Sequence, residues 1–190
     1  MIRLPRNLLL LAAALPLAAF AAPESYTIDP THTYPNFSVS HLGFSTMHGR
    51  FDNTTGKLTL DRAAKTGSVD ISIATASINT GLQKRDDHLR GPDFFNTAEF
   101  PKMTYQSTAV KFKGDAVDTV EGKLTLMGIT KPVTLTVTAF KCGDNPMSKK
   151  PMCGADATAH IKRSDFGMKY GLPGLGDELK LSFEVEAIKD

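Results

Sequence analysis

Period-two alternation of apolar and polar residues, repeated along most of the chain, predicts an all-β fold: an elongated, up-and-down antiparallel barrel of about eight strands with a short helical segment. Two further observations predict it. Turn residues punctuate the alternating stretches at the short intervals a meander needs, and only the segment from Gln83 to Phe95 breaks the pattern with bunched charges. About eight such strands can close on themselves, which removes the exposed edges and leaves an interior wide enough for side chains or one ligand.

The N-terminus is read separately. Arg3 and Arg6 precede an apolar run from Leu8 to Ala18 and then Ala19-Phe20-Ala21, the small-residue pattern of a cleaved export signal. Pro16 interrupts the run and Pro23 follows it closely, so it falls short of the roughly 20 apolar residues of a membrane span. Residues 1–21 are therefore expected to be a signal peptide and residues 22–190 one soluble domain. The formal net charge of the whole chain is +2, and the expected signal carries two arginines and no acid, so the mature domain is close to neutral. That excludes an electrostatic case for nucleic-acid binding.

The strands follow in order. A short strand at Tyr26–Ile28 leads. Phe37, Val39 and His41 share one face of the next, with Ser38 and Ser40 on the other. Leu58 and Leu60 continue the alternation after Gly56, as do Val69, Ile71 and Ile73 after Gly67. Met103 with Tyr105, Val110 with Phe112, and Leu124 with Leu126 extend it, followed by Val133, Leu135 and Val137. The stretch Ala155–Ile161 and the set Leu179, Leu181, Phe183 and Val185 complete it. Asp52-Asn53, Lys65-Thr66-Gly67, Gly114-Asp115 and Gly128-Ile129-Thr130-Lys131-Pro132 are the expected connections.

Two segments are irregular. Between Gln83 and Phe95, Pro92 forbids one continuous helix, so two short helical turns are expected across a barrel end. From Asp165 to Gly176 a Gly-rich loop carries Phe166, Met168, Tyr170, Leu172 and Leu175, and a loop that apolar usually covers something. The two cysteines, Cys142 and Cys153, lie in what reads as one Pro- and Gly-rich loop, and an exported chain predicts a disulfide between them. A rival reading joins them with Met147 and Met152 as a soft site for Cu(I), which no cluster spacing supports.

Several stretches resemble the YceI-like polyisoprenoid-binding family. They are Thr27-Ile28-Asp29-Pro30-Thr31-His32 through Phe44 with Gly49-Arg50-Phe51, Arg85–Leu89 with Asp93-Phe94-Phe95, Phe100–Tyr105, Leu124–Val133 and Arg163–Met168. The resemblance implies a lipocalin-like barrel in the periplasm that binds isoprenoid lipids or other long amphiphiles. Some relatives are encoded beside, or work with, membrane cytochromes of the b561 type, which implies a quinone link, and relatives often pair as homodimers. The Cys142–Cys153 region departs from the pattern. No catalytic set is carried over, and no cofactor is implied beyond a bound polyisoprenoid lipid or quinone.

A polyisoprenoid tail offers no hydrogen-bonding groups, so only a dry apolar tunnel can hold it. The expected walls are the inward series Phe37, Val39, Ile71, Ile73, Met103, Tyr105, Leu124 and Leu126. Phe44, Leu89, Phe94, Phe95, Phe166, Met168 and Leu175 are expected near an end, with His41 and His88. Each of these residues is equally readable as ordinary core. Head-group candidates are His32, Arg50, Arg90 and Lys169 with the same two histidines, since imidazole can bond a quinone oxygen and guanidinium can clasp phosphate. The arginines are equally readable as partners of Asp86, Asp87 or Asp93.

Neither catalytic nor metal residues are assigned. The five histidines lack tight metal spacing, apart from a His41–His48 pairing across a hairpin, and no hydrolase, zincin or phosphate-loop motif is present. Asp86-Asp87-His88 has no nucleophile beside it in sequence. Four functions therefore stand, in descending order: an envelope carrier of a polyisoprenoid or quinone, a scavenger of other hydrophobic compounds, an accessory presenting quinone to a membrane cytochrome, and a lipid-acting enzyme.

Overall fold

The computed structural model describes residues 22–190; the expected signal peptide lies outside the described residues. Eleven strand segments are present: β1 (Glu24–Ile28), β2 (Tyr34–His41), β3 (Ser45–Phe51), β4 (Thr54–Asp61), β5 (Thr66–Ala74), β6 (Ile78–Asn79), β7 (Lys102–Lys113), β8 (Ala116–Leu126), β9 (Ile129–Asp144), β10 (Pro151–Lys162) and β11 (Leu175–Lys189). Among the described residues the one α-helix is α1 (Gln83–Arg90), and single 3-10 turns occupy Thr75–Ser77 and Arg163–Phe166.

Strands β1, β4, β5, β7, β8, β9, β10 and β11 are hydrogen-bonded in that order, and β11 returns to pair with β1 through Tyr26 opposite Lys189 and Ile28 opposite Ala187. All neighbours are antiparallel, so the predicted closed eight-stranded barrel is what forms. The surplus segments are breaks within barrel strands. Toward its N-terminal end β11 exchanges β1 for β2, with Leu181 opposite Phe37, and β3 and then β6 follow.

Two expected connections differ from this arrangement. Asp52-Asn53 is not a hairpin, because β3 pairs with β2 and β6 whereas β4 pairs with β1 and β5. It is a corner at which one strand changes partners. The Gly128 turn is shorter than the five residues expected. Met127 and Gly128 both have positive φ, which makes a tight two-residue turn, and Pro132 already sits inside β9 opposite Lys123.

Period-two alternation becomes burial along the wall. Met103 and Tyr105 are buried on β7 while Lys102 and Gln106 face out, and Leu124 and Leu126 do the same on β8. Near the end where β11 finishes, Tyr26, Ile28, Leu60, Val110, Val117 and Ala187 belong to a solid core. Near the end where β11 begins, α1 and the segments 91–101 and 163–174 meet the barrel, and the chambers described below lie on that side.

Cys142 and Cys153 form the expected disulfide, but not within a loop. They sit directly opposite each other on β9 and β10 with Cα atoms 4.1 Å apart, and only residues 145–150 turn between the strands. Met147 is 91% exposed at that turn. With both sulfurs bonded to each other, no thiolate remains for the soft-metal reading.

Candidate functional site

Two chambers lie end to end inside the barrel. The inner one, of about 120 Å³, is walled by Ile71 and Ile73 from β5, Met103 and Tyr105 from β7, Leu124 and Leu126 from β8, and by β9 and β11 residues such as Val133 and Leu181. The outer one, of about 250 Å³, is bounded by Val39 and His41 of β2, Met47 and His48 of β3, His88 and Leu89 of α1, Phe94, and Met168, Tyr170 and Leu175 of the 163–175 segment. Phe37, Phe95 and Leu179 line both chambers and therefore form the partition between them.

The inner wall is almost wholly hydrocarbon, and its polar atoms are mostly engaged. The Tyr105 hydroxyl lies 2.9 Å from the Val120 carbonyl and 3.0 Å from that of Val133, and burial holds its pKa well above the usual phenol value. Among the described residues, the Thr54 hydroxyl is the one buried side-chain polar atom with no hydrogen-bond partner, and Thr54 stands on this wall.

Aromatic contacts organise both chambers. Phe51 and Phe95 meet edge to face at 5.3 Å, with Phe37 and Phe51 6.0 Å apart. At the mouth, His88, Phe94 and Tyr170 form a mutual triangle with centroids 5.1 to 5.4 Å apart. His88 Nε2 is 2.8 Å from Asp93 Oδ2, and both side chains are about half exposed.

Three arginines build the mouth rather than wait for a ligand. Arg163, 3% exposed, donates to the carbonyls of Met168, Tyr170, Leu175 and Gly176, which ties down the 168–176 segment; burial lowers its pKa. Arg85 donates to the hydroxyl and carbonyl of Thr80, and that hydroxyl in turn donates to the buried carboxylate of Asp86. Arg90 donates to the carbonyls of Ala76 and Ile78 and pairs with Asp87. The predicted turns from Gln83 to Phe95 are one helix ended at Gly91-Pro92 and then a turn, clamped by these bonds onto the end of the barrel.

The chambers bring together most of the expected wall residues. Ile71, Ile73, Met103, Tyr105, Leu124 and Leu126 reach the inner chamber; Val39, His41, His88, Leu89, Phe94, Met168 and Leu175 reach the outer; Phe37 and Phe95 reach both. Two do not. Phe44 is 90% exposed at the tip of the β2–β3 hairpin, and Phe166 is buried beside the start of β9 and the end of β10 without lining either chamber.

The head-group candidates fare less well. His32 lies outside, its Nδ1 2.9 Å from Asp29 Oδ2, and Arg50 faces outward to Asp52 and stacks over Tyr34. Lys169 is exposed and borders neither chamber, and Arg90 is committed as described. Only His41 and His88 stand at the outer chamber, now joined by His48. His41 and His48 are not cross-strand partners, because His41 faces Ser45 and His48 faces Ser38. The Asp86-Asp87-His88 run is likewise divided among Thr80, Arg90 and Asp93.

Phe51, Leu179, Leu181 and Arg163 were not among the expected site residues. Leu179 and Leu181 had a usable signal, since they belong to an alternating apolar set already read as one strand face; Phe51 had only its place in the Gly49-Arg50-Phe51 stretch. Arg163 heads the Arg163–Met168 stretch, but as one polar residue among Lys162, Ser164 and Asp165 it gave no sign of being buried.

A model of the YceI-like domain matches residues 26–187. The chain belongs to the YceI-like family. It is 39% identical over 175 residues to Protein YceI of Escherichia coli O157:H7, covering 90% of this chain and 91% of that one. Burkholderia cenocepacia BcnA superposes with a TM-score of 0.70 at 24% identity, covering 84% of this chain and 98% of its own. A polyisoprenoid binding domain from Saccharophagus degradans superposes with a TM-score of 0.63 at 20% identity, covering 88% and 99%. Both superpositions show the barrel fold. What the chambers of this YceI-like barrel can do chemically is exclude water from a hydrocarbon: their walls offer shape and dispersion contacts, and apart from the Thr54 hydroxyl the free polar groups gather at the outer mouth.

Proposed function

We propose that this YceI-like chain is a periplasmic carrier, not an enzyme, that holds the tail of a polyisoprenoid of quinone or prenyl type in the two chambers, with the head group at the outer mouth. The observation that carries this reading is the pair of apolar chambers in line, sharing Phe37, Phe95 and Leu179. A cavity of about 150 Å³ accommodates benzene, so the inner chamber suits about five carbons and the outer about ten. At about 0.8 kcal/mol per buried CH₂, filling both gives about 12 kcal/mol, within the estimated 4–15 kcal/mol cost of association. The described polyisoprenoid binding of the Saccharophagus domain supports the ligand class, and the disulfide suits an oxidising compartment. At the mouth, His41, His48 and the Tyr170 hydroxyl remain available to a carbonyl or hydroxyl head.

Organic extraction of freshly purified mature protein, followed by mass spectrometry, tests the reading. An isoprenoid recovered in near-stoichiometric amount is expected. Recovery of no apolar compound, together with failure to take up an added short-chain quinone, contradicts it.

A further inference from the structure

We propose that Phe37, seated on Gly49, divides the lumen and sets the length of apolar chain that the barrel admits, an inference that rests on the lipid-binding reading above. Phe37 lies on β2 between Gly49 of β3 and Leu181 of β11. A β-carbon placed on Gly49 would stand 2.5 Å from Phe37 Cζ, 2.8 Å from its Cε1 and 2.9 Å from Thr80 Cγ2. The ring therefore occupies the space where any other residue at position 49 would put its side chain, and that seat keeps it against the wall.

The three rings near the partition are not equivalent. Phe51 and Phe95 are 4% and 6% exposed and lock each other edge to face. Phe37 is only half-buried and its centroid stands farther from Phe51, at 6.0 Å. It is the ring with room to turn. A chain of about ten carbons fills the outer chamber without disturbing it, and a longer one reaches the inner chamber only past the Phe37 ring. The glycine seat and the ring thus act oppositely: removing the ring merges the chambers, while filling the seat pushes the ring into the passage.

The test measures dissociation constants of geraniol, farnesol and geranylgeraniol for the wild-type protein, Phe37→Ala and Gly49→Ala. Unhindered burial is worth about fourfold per carbon, or close to a thousandfold for one isoprene unit. The wild type is expected to gain less than about tenfold from geraniol to farnesol, reflecting the work of moving the ring. Phe37→Ala should enlarge that gain at least tenfold, and Gly49→Ala should reduce it. If Phe37→Ala does not fold, Phe37→Leu carries the same sign. A full step in the wild type, or an unchanged farnesol-to-geraniol ratio in both variants, overturns the role of Phe37 while leaving lipid binding intact. If no prenol binds the wild type, the lipid-binding reading falls and this inference with it.

Discussion

Tyr105 lies flat across Gly122 on the neighbouring strand, so closely that a β-carbon on Gly122 would stand 2.5 Å from the tyrosine Cζ and 2.6 Å from the Gln106 carbonyl oxygen. The ring can be held there, with its hydroxyl on two carbonyls, only because residue 122 has no side chain. Gly122→Ala is expected to destabilise the barrel by about 2 kcal/mol, the range of overpacking in a close-packed interior. Gly143→Ala, on β9 with open space around it, should be near neutral. Urea denaturation of both variants checks the contrast.

Arg163 holds the 168–176 segment by four carbonyls from a nearly fully buried position. Arg163→Met removes a charge-assisted donor to each of them and is expected to cost about 3 kcal/mol. Hydrogen exchange should locate the change, with faster exchange in residues 168–176 and little in β7 and β8. Uniform protection across the chain would contradict the anchoring role.

The Thr54 hydroxyl is buried without a partner on the inner wall. Thr54→Val replaces it with a methyl of similar shape and is expected to stabilise the protein by about 1 kcal/mol. For a chain of this length that raises Tm by about 2–4 °C, readable by calorimetry. A lowered Tm would mean that the hydroxyl is satisfied in solution.

His32 and Asp29 form a pair whose pH dependence has a definite sign. The hydrogen bond and charge of Asp29 raise the His32 pKa above its ordinary value, and the same bond lowers that of Asp29. The histidine's contribution to stability is thus full below about pH 6.5 and fades as pH rises through the raised value. The aspartate's is present above its ordinary pKa, about 3.9, and is lost as pH falls through the lowered one. An NMR titration should find the His32 pKa above its ordinary value, and lower in Asp29→Asn, where the charge of Glu186 alone still raises it.

Much of this was legible in the sequence because the side-chain period of a strand is two. Once Tyr105 is assigned inward, Met103 must be inward as well, and Leu124, opposite Tyr105, follows. Parity fails at strand ends. Phe44 is apolar, but it sits past the last paired residue of β2, where alternation no longer says which way a side chain faces. Residue type fails for the head group. Arg50 and His32 have the right chemistry, but strand register turns Arg50 outward to Asp52, and His32 sits in the turn between β1 and β2, paired with Asp29. The change of partners at Asp52-Asn53 depends on which strands lie beside it, which no local pattern records. Arg163 was illegible because its partners are backbone carbonyls, and these leave no trace in residue type.

Lipid binding depends on a lumen that the chain's own side chains leave partly unfilled. A crystal structure of the mature protein, purified without added lipid and refined at high resolution, tests it most directly. Continuous elongated density running from the His88–Tyr170 mouth past Phe37 to Leu124 is the predicted result. Side chains closing both chambers, or ordered water filling them, would contradict it.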